Sequence, residues 1–192
     1  MPWCIKHTAE MSRLLLPICC LLLLNPIARA DQNDSALKGL FEILQSSSDT
    51  QLLMETENRI WDAWMSHPNG EVEQLMLAAT QLMNSNRLSD ALALYSGIIR
   101  RFPDYAEAWN KRATLYYLSG NFSASIADID HTLALEPRHF GALSGLGLIY
   151  LRQNELRKAR DAFERVLQVH PHSVSAVQNL ELVSRTLQQS II

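Results

Sequence analysis

The sequence predicts an all-α solenoid, built from helical hairpins that stack side by side. The first observation is a period of 34 residues, since windows that open at Val72, Ala106 and Phe140 place matching residue types at matching offsets. Such a period is typical of helical repeat arrays. The second is that apolar residues recur at three- and four-residue steps in two runs per window, which predicts two amphipathic helices. The third is a proline near the end of every window, because proline disfavours helix in the residue before it.

Residues 1–30 have the pattern of a secretory signal. Two basic residues precede an apolar run over 14–24, and small residues follow at the positions that a signal peptidase requires, the second being Ala30. The run is much shorter than the roughly 20 residues that cross a bilayer. We expect cleavage after Ala30 and export, to the periplasm in a Gram-negative bacterium. An uncleaved membrane anchor is the alternative, and the sequence leaves open whether translation starts at Met1 or Met11.

Residues 31–71 contain two apolar stripes separated by polar residues. This pattern predicts a helical hairpin that is either a degenerate repeat or a cap, because a hairpin of this size must bury its apolar face on neighbours. Ser48 and Gln51 have the spacing of a capping box at the start of its second helix. The first stripe consists of Leu37, Leu40, Phe41 and Leu44, and the second of Leu53, Ile60, Trp61, Trp64 and Met65.

Each 34-residue window contains the residue types that a tight hairpin needs. The two helices are separated by Asn86, Gly120 or Asn154, which tolerate the left-handed conformation. Small residues at offsets eight and twenty allow close approach of the helices, and a large residue at offset twenty-four fills the space beside them. In the third window these are Gly147, Ala159 and Phe163. The predicted hairpins occupy residues 72–105, 106–139 and 140–173.

Residues 174–192 continue the helical pattern beyond the last window. One amphipathic helix is predicted over 174–189, and it would cover the exposed end of the stack. Its apolar stripe consists of Val174, Val177, Leu180, Val183 and Leu187.

Composition argues against several functions for the chain after Ala30. All three cysteines precede that residue, so no disulfide, thiolate nucleophile or sulfur-ligated metal is expected. Over the full sequence acidic residues outnumber basic ones, 20 to 17, which does not favour a nucleic-acid partner. The histidine spacings match no zinc motif. Ser144 lies in a glycine-rich run but lacks the flanking glycines of a nucleophile elbow. We therefore expect that the protein is not an enzyme and that it binds no cofactor and no metal.

The residues at the repeated offsets resemble the signature of the tetratricopeptide repeat (TPR) family. In the second window they are Trp109, Ala113, Tyr116, Gly120, Ser125, Ile129 and Pro137. Residues 109–114 and 136–143 are also similar to a subgroup of exported bacterial TPR proteins. The resemblance implies an all-α TPR solenoid that acts as a protein-interaction scaffold.

In TPR proteins the first helix of each unit lines a concave groove, which implies where a partner binds. By the resemblance, the second unit presents Glu107, Asn110, Lys111, Thr114, Tyr117 and Leu118, and the third presents Gly141, Ser144, Gly145, Leu148, Leu151 and Arg152. A protein or peptide is the expected ligand. Asn110, Lys111 and Arg152 are expected to orient it, while the apolar members of the set supply contact area.

Two features of these units depart from a plain repeat. Gly141 and Gly145 stand one helical turn apart on the groove side, and glycine in a helix costs about 1 kcal/mol relative to alanine. We expect either a ligand or a neighbouring helix to approach them closely. Arg112 occupies an offset that usually holds a leucine, so a structural salt bridge is expected. Its candidate partners are Asp128, Asp130 and Glu136.

Two alternatives to a protein-binding groove remain open from the sequence. One is an anionic small molecule or cell-wall fragment, bound around Lys111, Arg138, His139 and Arg152. Arg138 and His139 would then lie at the groove edge, although local capping is the commoner fate of such a histidine. The other is self-assembly, with dimer contacts from Met76, Leu77 and Leu151. A terminal-carboxylate clamp is disfavoured, because Met76 and Thr80 stand where chaperone-tail-binding TPR domains have lysine and asparagine.

Overall fold

A computed structural model describes residues 36–189 of the 192-residue chain. Over that range the chain is entirely helical apart from its turns, which confirms the all-α prediction. The helices are α1 (Ala36–Ser46), α2 (Thr50–Met65), α3 (Gly70–Asn84), α4 (Leu88–Arg101), α5 (Ala106–Leu118), α6 (Phe122–Leu135), α7 (Phe140–Arg152), α8 (Leu156–Val169) and α9 (Val174–Gln189). The predicted signal sequence and the cysteines lie outside the described residues. Within 36–189, no helix is both long and apolar enough to cross a membrane.

Helices α3 to α8 form three consecutive hairpins, as the 34-residue period predicts. Each hairpin turns through a residue in the left-handed region, with φ of 59° at Asn86, 73° at Gly120 and 57° at Asn154. This conformation lets amide groups beyond the helix end bond the last free carbonyls. A proline follows the end of α4, α6 and α8 and separates each hairpin from the next.

Close packing within the hairpins explains the small residues at the repeated offsets. A Cβ atom on Gly147 of α7 would lie 2.6 Å from Cε1 of Phe163 in α8, a separation too short for any side chain. In the second hairpin the small residue is Ser125, and its hydroxyl donates to the carbonyl oxygen of Ala113 at 2.7 Å. In the third hairpin the ring of Phe163, at offset twenty-four, therefore packs directly on the backbone of α7.

Helix α9 covers the end of the stack by packing on α8. Val183 is buried, and the two leucines of the predicted stripe pack around it. The first turns differ from the prediction, because Val174 and Val177 remain exposed and Ala176 is the residue buried there. Ala176 belongs to an apolar cluster that α9 shares with the N-terminal hairpin and with Phe140, Leu143 and Val166 of the repeats.

The N-terminal hairpin, α1 and α2, lies across the edge of the solenoid. One buried apolar cluster joins it to α7, α8 and α9, and its principal contacts beyond the hairpin are with α5 and α8 rather than with α3. The predicted helical hairpin is present, but it lies across the repeats and does not stack on the first of them as a degenerate repeat or cap would. The buried members of the cluster are Leu37, Leu40, Phe41, Leu44, Leu53, Ile60, Trp64, Phe140, Leu143, Val166 and Ala176.

Helix α2 runs along the turns that connect successive hairpins, in the direction opposite to the chain order of the repeats. The carbonyl oxygen of its last residue accepts a hydrogen bond from the hydroxyl of Tyr105 at 2.8 Å, before α5. Trp64 stacks on His139, before α7, with ring centroids 4.0 Å apart. Glu57 lies 3.3 Å from Nε2 of His170, before α9. Because α2 contacts all three turns, we call α1 and α2 the strap hairpin.

The cap of α2 also differs from the prediction. Asp49 is the N-cap, and its carboxylate accepts hydrogen bonds from the amides of Gln51 at 2.9 Å and Leu52 at 3.1 Å. The side chain of Gln51 bonds to Glu55 instead of reaching back to the cap. The predicted capping box from Ser48 is therefore wrong. A carboxylate is well placed here, because the helix dipole is positive at this end.

Candidate functional site

A cavity of about 300 Å³ lies between α5 and α7, the first helices of the second and third hairpins, with α6 behind them. Its wall is mostly apolar, and its volume is at the lower end of the range for ligand pockets. Eight of the ten predicted groove residues line it: Asn110, Thr114, Tyr117, Leu118, Gly141, Ser144, Gly145 and Leu148. The remaining lining residues are Ala113, Ser125, Ile129, Ala142 and Ile149. The structure therefore brings most of the predicted site residues around one space.

The two groove glycines lack a side chain for different reasons. Beside Gly145 the space is open, since a Cβ atom there would meet only Cδ1 of Ile129, at an ordinary 3.6 Å. Gly141 is covered by the strap hairpin, because a Cβ atom there would lie 2.4 Å from Cη2 of Trp61. A neighbouring helix thus explains Gly141, whereas Gly145 gives the cavity its depth.

Lys111 and Arg152 are the two predicted groove residues outside the cavity lining. The ammonium of Lys111 lies 3.1 Å from Oε1 of Glu107, so its charge is already partnered. The guanidinium of Arg152 lies 5.5 Å from the ring centroid of Tyr117, at the rim of the cavity. In the part of the chain that the structure describes, no carboxylate pairs with Arg152. Its charge is therefore available to a ligand.

A buried polar cluster lies beneath the end of the cavity near Gly141. Glu107, which was predicted to face the groove, is only 1% exposed. Its Oε2 atom accepts a hydrogen bond from Asn110 at 3.0 Å and lies 2.9 Å from Nε2 of His139. Because Nδ1 of His139 accepts the amide hydrogen of Ala142, the ring proton lies on Nε2 and is donated to Glu107. His139 is fully buried, so its predicted place at the groove edge is wrong.

Two carboxyl groups that contact buried histidines have lowered pKa values. Burial raises the pKa of Glu107, but the hydrogen bond from His139 and the ammonium of Lys111 outweigh it and hold the pKa below its ordinary 4.5. The pKa of Glu57 is lowered chiefly by its hydrogen bond with His170. Both groups therefore favour the ionised state in the folded protein.

Acidification should destabilise the protein through these carboxyl groups. A group whose pKa is lowered by folding stabilises the fold above its unfolded pKa, and this contribution is lost as the pH falls through the folded pKa. We expect the free energy of unfolding to fall below about pH 4.5, and Glu107→Gln to make that fall shallower. Urea unfolding between about pH 3 and pH 6 measures both. Glu181→Gln, at an exposed ion pair, is the control, and an equal slope in the two variants would contradict the assignment.

Arg112 forms the structural salt bridge that the sequence predicts. Its Nε and Nη2 atoms donate to the two carboxylate oxygens of Asp128 at 2.7 and 2.8 Å. The hydrogen bond with Asp128 raises the pKa of Arg112, and the opposing effect of burial on that pKa is smaller. Of the three candidate partners, Asp128 is the one that α6 places opposite α5.

Three of the four groups of the predicted anion site are already paired with carboxylates of the protein. Arg138 donates from Nε and Nη2 to the carboxylate of Glu136 at 2.9 and 2.7 Å. His139 is buried, and Lys111 is paired within α5. Only Arg152 of the four remains available, so the structure does not support an anion site centred on all of them.

The residues suggested for self-association are mostly inaccessible. Met76 is fully buried in the core of the first hairpin. Leu151 is partly buried against α9. Leu77 alone of the three is exposed, so the predicted set does not form one dimer surface.

The cavity presents few polar side chains. Ser144 lies in its wall, and within residues 36–189 no histidine or carboxylate is hydrogen-bonded to its hydroxyl. Over the same range, no group of three or more histidine, aspartate or glutamate side chains is placed to hold a metal ion. What the site offers is apolar surface with one cation at the rim.

The sequence profile described as "Tetratricopeptide repeat" matches residues 76–130 and 110–174. The chain belongs to the tetratricopeptide repeat family. A TPR repeat-containing protein of Rhizobium etli is 34% identical over 151 residues, which cover 79% of this chain and 74% of the relative. DnaJ homolog subfamily C member 3 of Mus musculus is 29% identical over 103 residues, but that match covers 54% of this chain and 20% of the mouse protein.

Solved TPR domains share the fold of this protein. The first TPR domain of Spaghetti (RPAP3), bound to an HSP90 peptide, has a TM-score of 0.59 and 21% identity, covering 61% of this chain and 93% of that domain. The Sgt2 TPR domain from Aspergillus fumigatus has a TM-score of 0.60 and 22% identity, and the match covers 64% of this chain and 82% of that domain. At such identities the likeness shows the TPR solenoid fold alone.

Proposed function

We propose that the protein is a non-catalytic scaffold that binds a peptide segment of a partner protein in the cavity between α5 and α7. One observation carries this proposal: eight predicted groove residues line a single apolar space, which opens beside Gly145 and which no side chain of the described chain fills. The TPR domain of Spaghetti bound to an HSP90 peptide, and the complex of the yeast Sti1 TPR2B domain with pHsp70, support peptide binding as a use of this fold.

The chemistry of the cavity indicates the kind of segment that it takes. Ile129, Leu148 and Ile149 form an apolar wall that suits one large apolar side chain. Burial of such a side chain contributes about 1.5–3 kcal/mol. At the rim, Arg152 lies over Tyr117 and is available to a carboxylate. The proposed ligand is therefore a segment in which a large apolar residue is flanked by an acidic one.

Substitution of Gly145 tests this site directly. We expect Gly145→Trp to weaken peptide binding by about 10- to 100-fold, because the indole fills the cavity and excludes one apolar side chain. Gly145→Ala is the matched control, since its Cβ atom would make only an ordinary contact with Ile129. The ligands come from random peptide libraries displayed with either a free N-terminus or a free C-terminus, and affinities are measured by fluorescence polarisation.

Thermal melting first establishes that both variants are folded. Affinities of Gly145→Ala within about twofold of the parent, beside the loss in Gly145→Trp, would support the cavity as the site. Equal binding by all three proteins would place the interface elsewhere on the solenoid. Selection of no peptide at all would contradict the peptide-binding function.

We further propose that the protein is exported, to the periplasm if its source is a Gram-negative bacterium, so that the groove acts outside the cytoplasm. The support is the basic, apolar and small-residue pattern of residues 1–30. N-terminal sequencing of the natural protein is expected to begin at Asp31. A natural protein that retains Met1 or Met11 would contradict cleavage after Ala30.

A further inference from the structure

The strap hairpin reaches over one end of the cavity. Trp61 of α2 lies between α5 and α7: its ring is 5.9 Å from Nζ of Lys111, and its Cη2 atom fills the place of a Cβ atom on Gly141. Trp61 packs edge-on against Trp64 and Phe140, with centroid distances of 5.2 Å to each. Because both of those rings are buried, the indole of Trp61 is held in place by the core.

The two ends of the cavity therefore differ. At the end near the start of α5 and α7, Trp61 covers the groove, and the nearby ammonium of Lys111 is already paired with Glu107. At the opposite end, Leu118 is 56% exposed and Arg152 is available at the rim. A groove open at both ends would let an extended peptide run through it. Here the path is open on one side and blocked on the other.

We propose that Trp61 is a stop that makes this groove a one-ended pocket, which takes a free chain end of the partner rather than an internal segment. This inference rests on the proposed peptide-binding function and specifies its ligand. The chain end lies against Trp61, the apolar residue fills the cavity beside Gly145, and the acidic residue meets Arg152 as the chain leaves the pocket. Trp61 and Gly141 are the specificity-determining residues, because any side chain at Gly141 would displace the indole.

The test uses the full chain and a selected peptide that binds the parent but not Gly145→Trp. Synthetic versions carry a short Gly-Ser extension at the N-terminus or at the C-terminus. For the parent, one of the two extensions should weaken binding by about tenfold or more, because it collides with Trp61, and the other should change binding by less than about twofold. Trp61→Ala and Gly141→Ala are expected to abolish this asymmetry.

Controls separate the stop from general effects of losing an indole. Trp109→Ala removes a ring that stacks on His131 and does not line the cavity, so it should keep the asymmetry of the parent. Gly141→Ala keeps the indole but must shift it, so it tests the stop even where Trp61→Ala lowers the melting temperature. An asymmetry that persists in the folded Gly141→Ala protein would overturn the proposal.

Two further results have distinct meanings. Equal tolerance of both extensions by the parent would overturn the stop and leave the peptide-binding function intact. Failure to obtain any peptide that Gly145→Trp rejects would overturn the proposed function, and the stop with it.

Discussion

Trp64→Ala is expected to lower the free energy of unfolding by about 3–5 kcal/mol, the usual cost of removing a buried tryptophan side chain. Trp64 is 1% exposed and lies at the centre of the contact between the strap hairpin and the repeats. Its ring stacks on His139 at 4.0 Å and packs against Phe140 at 4.9 Å. The substitution leaves a void between α2 and the start of α7, so the strap should detach before the repeats unfold.

Urea unfolding measures the loss, and hydrogen exchange locates it. In Trp64→Ala, amides of residues 36–65 should lose protection before those of the three hairpins. Trp109→Ala is the matched control, because that ring is only partly buried and stacks on the exposed His131. A loss in Trp64→Ala no greater than that in Trp109→Ala would contradict the role of the strap.

His139→Ala is expected to cost a similar 3–5 kcal/mol, because it breaks a buried pair and leaves one partner behind. The fully buried imidazole makes three contacts that alanine cannot replace. It caps α7 through the amide of Ala142, donates to Glu107 and stacks on Trp64. Without it, the carboxylate of Glu107 remains buried with fewer hydrogen-bond donors.

His139→Asn separates the cap from the buried pair. Asparagine is a good N-cap residue and should recover about 1 kcal/mol, but it is too short to replace the contact with Glu107. His131→Ala, at an exposed histidine, is the control and should change stability little. If urea unfolding shows the same small loss for His139→Ala as for His131→Ala, the buried pair does not support the turn before α7.

The hairpins were predictable because their determinants are local and repeat. The left-handed residue, the small residue and the proline each act within one unit, so three copies of a weak signal add up to a strong one. The packing of Phe163 on Gly147 is an example, since both belong to the same 34-residue window. Arg112 was predictable for the same reason, because its partner Asp128 lies on the next helix of the same hairpin.

The position of the strap hairpin was not predictable from the pattern. An apolar stripe shows that one face of a helix must be buried, but it does not show which element buries it. The turns that α2 contacts are 40 to 113 residues away in the chain, so no local pattern indicates them. Trp61 and Trp64 could be assigned only to a helix face. The reason for glycine at position 141 was not predictable either, because the indole that occupies the space beside Gly141 comes from the distant strap hairpin.

In the groove, the repeat offsets identified the lining residues but not their pairing. The offsets predict that Glu107 faces a ligand, but its carboxylate is buried and is paired with His139 and Lys111. One sequence signal indicates the role of His139: it occupies the same offset as Tyr105 and Ser173, directly before the first helix of a unit, where N-caps stand. Arg152 keeps its charge available because it lies at the far end of α7, beyond the strap.

Methyl NMR of the peptide complex tests the central claim most directly. With methyl groups labelled in isoleucine and leucine, the proposed binding mode predicts intermolecular nuclear Overhauser effects from the apolar side chain of the peptide to Ile129, Leu148 and Ile149. These three residues line the cavity from α6 and α7. Effects confined to exposed residues elsewhere, such as Leu77 or Leu182, would contradict a ligand-binding cavity between α5 and α7.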